Sequence, residues 1–307
     1  MQSQFQYTPL KDALLTLAGE LGQRSRIESV NVREGYGRIL AEDVLAGEDS
    51  PRSDVSHFDG FALRSEDTFG AKEGSQISLA LRRGAGRPGL PAKRKLGTGE
   101  AMKVLTGGFL PPGADAIVPL EDSSVLAHEI QLTRPVHPGE HVYRAGSDVK
   151  KGDRILQAGK QLMGQDLVLL ASLHIGAVAA YRRPRVAVLP TGSELTRDIS
   201  GGRKGKVVES HSLLLELLIE GAGGLPTTLP IARDERRTLT RAIREAIRRS
   251  DIVFTLAGSS VGEPDLVEST IRGFGKATTA LVHGVRVNRG RVMGFAIVKG
   301  KPVVILP

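Results

Sequence analysis

The sequence holds no cysteine and no tryptophan in 307 residues. Without thiols there is no disulfide framework, no thiolate metal site and no cysteine nucleophile. Aromatics are sparse, eight Phe and four Tyr, which leaves little for stacking along a nucleic-acid strand. The opening MQSQFQYTPLKDALL has no basic stretch leading into an apolar one, so no secretory signal is read there. The most apolar long stretch, Leu167 to Tyr181, is too short to span a bilayer and contains His174. These absences predict a cytoplasmic protein with no membrane partner. The material present is 40% hydrophobic and 25% charged, a globular balance that excludes wholesale disorder. Length alone suggests about two domains. The net charge of +8 points to an anionic partner. With no basic stripe in a recognised motif, nucleic acid is not the expected one.

The texture changes twice along the chain. Thr8, Pro9 and the spacing of Leu10, Ala13, Leu14, Leu17 and Leu21 predict a helix. Ser29 to Val32 reads as a short strand, and Gly35 to Ala46 as a second helix carrying Ile39, Leu40 and Val44 on one side. From Asp49 onward, short apolar runs alternate with Gly and Pro clusters, the pattern of a small β domain. Gly164 to Leu173 returns to helical spacing. After Pro184 comes an alternation: strand Val186–Leu189, helix Ser210–Glu220, strand Thr227–Ile231, helix Asp234–Arg249, strand Ile252–Leu256, helix Leu266–Phe274. Val292–Val298 and Val303–Leu306 read as a hairpin about Lys299 and Gly300. The predicted fold class is α/β plus β: a doubly wound, mostly parallel α/β domain, and a mostly helical domain carrying an inserted β domain. The boundaries read 1–48 with 138–182 for the helical part, 49–137 for the inserted β part and 183–307 for the α/β part.

In open α/β sheets ligands bind beyond the carboxyl ends of the strands. Three predicted strands lead there into segments bearing acids: Thr191-Gly192-Ser193-Glu194, Ala232-Arg233-Asp234, and Gly258-Ser259-Ser260-Val261-Gly262-Glu263-Pro264-Asp265. Glu194, Asp234 and Asp265 would then share one rim, where clustered carboxylates suit a hard cation such as Mg²⁺. The Gly- and Ser-rich loops would offer free backbone amides to an anion. The competing reading makes Asp234 and Asp265 plain helix caps. The turns around Asp59 (SHFDGFA) and Thr106 (TGGFLPPGADA) read on physical grounds alone as structural. His57, His174, His211 and His283 follow no metal-ligand spacing.

Taken in order, SHFDGFA, TGGFLPPGADAIV, RAGSDVKKGD, VAVLPTGSEL, ARDE and GSSVGEPD resemble the molybdopterin molybdenumtransferase family (MoeA and the gephyrin E-domain). The resemblance runs from about Leu10 to Pro307. It implies insertion of molybdate or tungstate into adenylylated molybdopterin, with Mg²⁺-dependent release of AMP. It implies a homodimer, with a molybdopterin adenylyltransferase as a further partner. The family's catalytic positions fall on Asp59, Thr106, Glu194, Asp234 and Asp265, the last three as metal ligands. Its substrate-binding positions fall on Asp148, Thr191, Gly192, Ser193, Gly258, Ser259, Ser260 and Gly262. Arg289 and Arg291 stand where the family carries a KPGKP loop, and Tyr143 where it carries an arginine. The chain stops at Pro307, where the resemblance implies a further C-terminal β-barrel. These departures raise a second expectation, a catalytically impaired molybdopterin-binding or scaffold relative.

Overall fold

The computed structural model describes residues 7–21, 26–90, 93–199, 205–256, 266–287 and 293–307. The chain forms two compact units. One, the β unit, comprises Val30–Tyr36 and Leu40–Val178. The other, the α/β unit, comprises Met1–Ser29, Gly37–Ile39 and Ala179–Pro307. Among the described residues no helix is long and apolar enough to cross a membrane.

Helix α1 (Leu10–Leu21) forms where its spacing predicts. Its partner is not the predicted one. Ala13 packs with Val285, Phe295 and Ile297, and Thr8 pairs with Val285. The grouping of residues 1–48 with 138–182 is therefore corrected: residues 7–21 belong with the α/β unit, where Ala13 is buried and Leu17 half-buried.

In the β unit, β1 (Gly60–Leu63), β2 (Ile77–Gly86), β3 (Glu100–Val104), β4 (Ala116–Pro119), β5 (Ser124–Leu126) and β6 (Glu129–Leu132) make a six-stranded sheet in the order β4-β1-β3-β2-β6-β5. Only β2 and β3 run parallel. Alternate residues such as Phe61, Leu63, Leu79, Ile130 and Leu132 fill its core. A second core joins Val32, Leu40, Leu156, Leu162 and Val178 to Leu170 of α2 (Gly164–Ser172). The helix predicted over Gly35 to Ala46 does not form. A single 3₁₀ turn, Val32–Glu34, is followed by Gly37 at φ +72°, a left-handed backbone that ends helical progress. The amide of fully buried Leu40 donates to the Lys160 carbonyl instead, and Val44–Leu45 pairs with Arg154–Leu156.

The α/β unit runs β7 (Arg185–Pro190), α3 (His211–Gly221), β8 (Leu225–Thr228), α4 (Arg236–Arg249), β9 (Ile252–Leu256), α5 (Leu266–Arg272), β10 (Thr278–His283), β11 (Gly294–Val298) and β12 (Lys301–Leu306). Its six strands lie in the order β8-β7-β9-β12-β11-β10. The first four are mutually parallel, and β11 is antiparallel to both neighbours. Strand β8 ends before Ile231, three residues short of the predicted end, because Pro230 brings no amide to a ladder. Strand β10 has no counterpart in the sequence reading. Leu239, Ile243 and Ile247 of α4 and Val267 and Ile271 of α5 cover one face of the sheet. Ile219 of α3 covers the other. Lys301 donates its ammonium hydrogens to the carbonyls of Ile247 and Ser250 at 2.6 and 2.7 Å, placing a cation at the negative end of α4.

Ile243 is fully buried in the largest of these cores. Ile243→Ala is expected to cost about 2–5 kcal/mol, read as a lower urea midpoint, whereas Val168→Ala on the exposed side of α2 should leave the midpoint nearly unchanged.

Candidate active site

Strands β8 and β9 flank β7 on opposite sides, so chain order reverses at β7, the place where open α/β sheets bind ligands beyond the carboxyl ends of their strands. The loop that follows β7 is built there. Thr191 is fully buried, and its amide donates to the Leu256 carbonyl at 2.8 Å. The Gly192 amide donates to the Ala232 carbonyl at 3.0 Å. Gly192 sits at φ +150°, and a Cβ there would lie 2.8 Å from Oε1 of Glu194. Glycine thus lets the Glu194 side chain fold back over the loop. Ser193 and Asp234 then bond reciprocally: the Ser193 amide donates to Asp234 Oδ2 at 2.8 Å, and the Asp234 amide to Ser193 Oγ at 3.0 Å. Lys206 donates its ammonium to the Ser193 carbonyl.

This geometry decides two points that the sequence left open. Asp234 does not cap α4; that position belongs to Glu235, whose carboxylate accepts the Thr238 hydroxyl. Nor does the loop offer an amide nest over Thr191, Gly192 and Ser193. All three amides are engaged within the unit, which corrects the expectation of free donors at those positions. The rim presents oxygens instead: the exposed Glu194 carboxylate, Asp234 Oδ1 and the Ser193 hydroxyl. Such hard donors suit Mg²⁺. Among the described residues, no three His, Asp or Glu gather into a metal cluster. Gly258, Ser259, Ser260, Gly262, Asp265, Arg289 and Arg291 lie outside the described residues. Two open grooves of about 830 and 420 Å³ run along α4, lined among others by Arg237, Arg241 and Arg244, and neither includes Glu194 or Asp234.

A second cluster stands in the β unit, where segments 54–59, 105–110 and 141–145 are laced together. Ser56 exchanges backbone bonds with Gly107 and Gly108, and Tyr143 pairs with Val55. Asp59 is exposed, and its Oδ1 accepts both the amide and the hydroxyl of Thr106, at 2.6 and 2.8 Å. These two bonds, with the charge of Lys103, hold the Asp59 carboxyl below its ordinary range. Asp59 and Thr106, distant in sequence, are thus brought together. Asp148 is not joined to them; it is exposed, and its amide donates to the Ser50 carbonyl. Sequence reasoning missed Asp54, which accepts from Arg144 Nη1 at 2.6 Å and from the Ala145 amide at 2.9 Å. It also missed the contact of His57 Nε2 with the Tyr143 hydroxyl at 2.9 Å. Nothing in the local spacing links either pair.

Comparison with known proteins covers nearly all of the chain. Residues 8–174 match the family described as MoeA N-terminal region (domain I and II). Residues 187–307 match the one described as probable molybdopterin binding domain. A Methanocaldococcus jannaschii protein, named provisionally for molybdopterin biosynthesis, is 34% identical over 97% of this chain and 75% of its own length. A molybdopterin molybdenumtransferase of Staphylococcus aureus is 30% identical over 95% of this chain and 69% of its own. A crystal structure of the molybdopterin biosynthesis MoeA protein of Pyrococcus horikoshii superposes with a TM-score of 0.87 at 33% identity, covering 98% of this chain and 75% of that one.

The Asp59–Thr106 pair makes a pH prediction. A lowered carboxyl pKa keeps Asp59 charged as pH falls through the ordinary carboxylate range, and whatever the pair contributes is lost only as pH falls through the lowered value. A carbon-13 carboxyl titration should place the Asp59 midpoint below that of a free aspartate, and Thr106→Ala should raise it. Identical midpoints in the two proteins would remove the hydroxyl from the account.

Proposed function

The chain belongs to the MoeA family, which works in molybdenum cofactor biosynthesis, and on that premise we propose that it inserts molybdate or tungstate into adenylylated molybdopterin and releases AMP. The observation that carries this reading is the Ser193–Asp234 bond pair at the strand-order reversal, which holds a carboxylate and a hydroxyl in fixed positions beside Glu194.

The roles follow from the donors available. Glu194 and Asp234 would hold Mg²⁺ through oxygen, with Asp265 as the third acid. When bound, that ion supplies charge neutralisation at the scissile phosphoanhydride. The Ser193 hydroxyl accepts from the Asp234 amide and keeps its own hydrogen for a phosphate oxygen. Groups fixed in advance need little rearrangement as charge develops, which is where electrostatic catalysis gains. Asp59, braced by Thr106, offers its remaining oxygen Oδ2 to an N–H donor of the substrate. Arg289 and Arg291 would neutralise phosphate or oxyanion, since guanidinium binds both through paired hydrogen bonds. Asp148 and the 258–262 loop complete the proposed set.

A homodimer belongs to the same reading, with an adenylyltransferase as the proposed supplier of substrate. Leu213, Leu214, Leu217 and Leu218 of α3 are each about 60% exposed, an apolar face that a second copy would cover. Leu217→Glu should shift the protein toward monomer in light scattering.

The activity is tested by following AMP release from adenylylated molybdopterin with Mg²⁺ and molybdate. Asp234→Asn keeps an acceptor for the Ser193 amide but removes the charge, and kcat/KM is expected to fall on the order of a hundredfold. No AMP release by the unaltered protein, despite tight molybdopterin binding, would favour a binding-only relative.

A further inference from the structure

Four rings meet at the laced junction of the β unit. His57 lies 4.4 Å from Phe58 between ring centroids, tilted by 31°, and 4.5 Å from Tyr143, tilted by 51°. Phe58 meets His141 edge to face at 5.0 Å. The array is braced from below. The His57 amide donates to the His141 carbonyl at 3.0 Å, the Tyr143 hydroxyl contacts His57 Nε2 at 2.9 Å, and His141 holds φ at +59°, unusual for a residue with a side chain. Rings that served only to fill a core would be buried. Here Phe58 is 39% and Tyr143 45% exposed.

The charges around the array say what kind of group it suits. Arg144 is tied to Asp54. What remains is an exposed carboxylate oxygen, Oδ2 of Asp59, on the residue next to Phe58. Flat ring faces beside an acceptor suit a neutral, nitrogen-rich bicycle that stacks and donates N–H. A pterin presents an amino group and a ring N–H on one edge, whereas adenine offers an amino group alone.

We propose that His57, Phe58, His141 and Tyr143 form a stacking wall beside Asp59 that takes the pterin ring of the substrate. This rests on the reading of the substrate given above.

The test is a fluorescence titration of the full chain with neopterin, beside a calorimetric titration with AMP. Phe58→Ala and Tyr143→Ala should each weaken neopterin binding about tenfold and leave AMP binding and the thermal midpoint unchanged. Tyr143→Phe keeps the ring but drops the hydroxyl contact with His57, and should lose less neopterin affinity than Tyr143→Ala. Undetectable neopterin binding, an affinity unmoved by Phe58→Ala, a loss as large in Tyr143→Phe as in Tyr143→Ala, or a loss confined to AMP would each overturn the wall. AMP release is read separately. A protein that binds neopterin on these rings but releases no AMP would sink the activity and leave the wall standing.

Discussion

Two backbone hydrogen bonds organise the α/β unit: the Thr191 amide to the Leu256 carbonyl and the Gly192 amide to the Ala232 carbonyl. One ties the end of β7 to the end of β9, and the other ties it to the segment after β8. The three segments are distant in sequence and reach one rim because the strand order reverses at β7. Thr191 is fully buried, so its bond is sheltered from exchange with water, where a lost partner costs most. The Ser193–Asp234 pair and the fold-back of Glu194 depend on this anchoring.

The β unit solves the same problem with side chains. Without cysteine, its loops are fastened by carboxylates that accept amides from remote segments: Asp43 from Ala158, Asp49 from Lys151, Asp54 from Ala145, Asp67 from Gly99 and Asp115 from Ser65. Asp59 with Thr106 is one more instance of this device, at the surface. The acid that the family motif marks is thus also part of the fabric of its own turn.

Periodicity made α1, α4 and the parallel strands legible, and in α4 and the strands the packing partners respect the spacing that the sequence displays. Ile243 falls in the core at its predicted register, and the turn at Lys299 and Gly300 closes the predicted hairpin. The Gly35–Ala46 segment misled because Leu40 is buried by a long-range bond to Lys160, which local spacing cannot show. The rim acids Glu194 and Asp234 were legible from strand ends, whereas the amides of their loop were misjudged. Whether an amide is free depends on the partner strand, here through Leu256 and Ala232. The ring array was illegible for a like reason: His57 and Tyr143 meet only through a strand pair joining Val55–Ser56 to Val142–Tyr143.

The placement of α1 has a consequence in time. Its Ala13 packs on Val285, Phe295 and Ile297, and β12 lies inside the sheet rather than at its edge. A ribosome delivers α1 before those partners. The β unit, whose residues all lie between Val30 and Val178, can assemble while the remainder is still being made. The α/β unit closes only when Lys301–Leu306 slides between β9 and β11. Until then Ala13 waits without its partners, a burden that falls on the nascent chain and not on the finished protein.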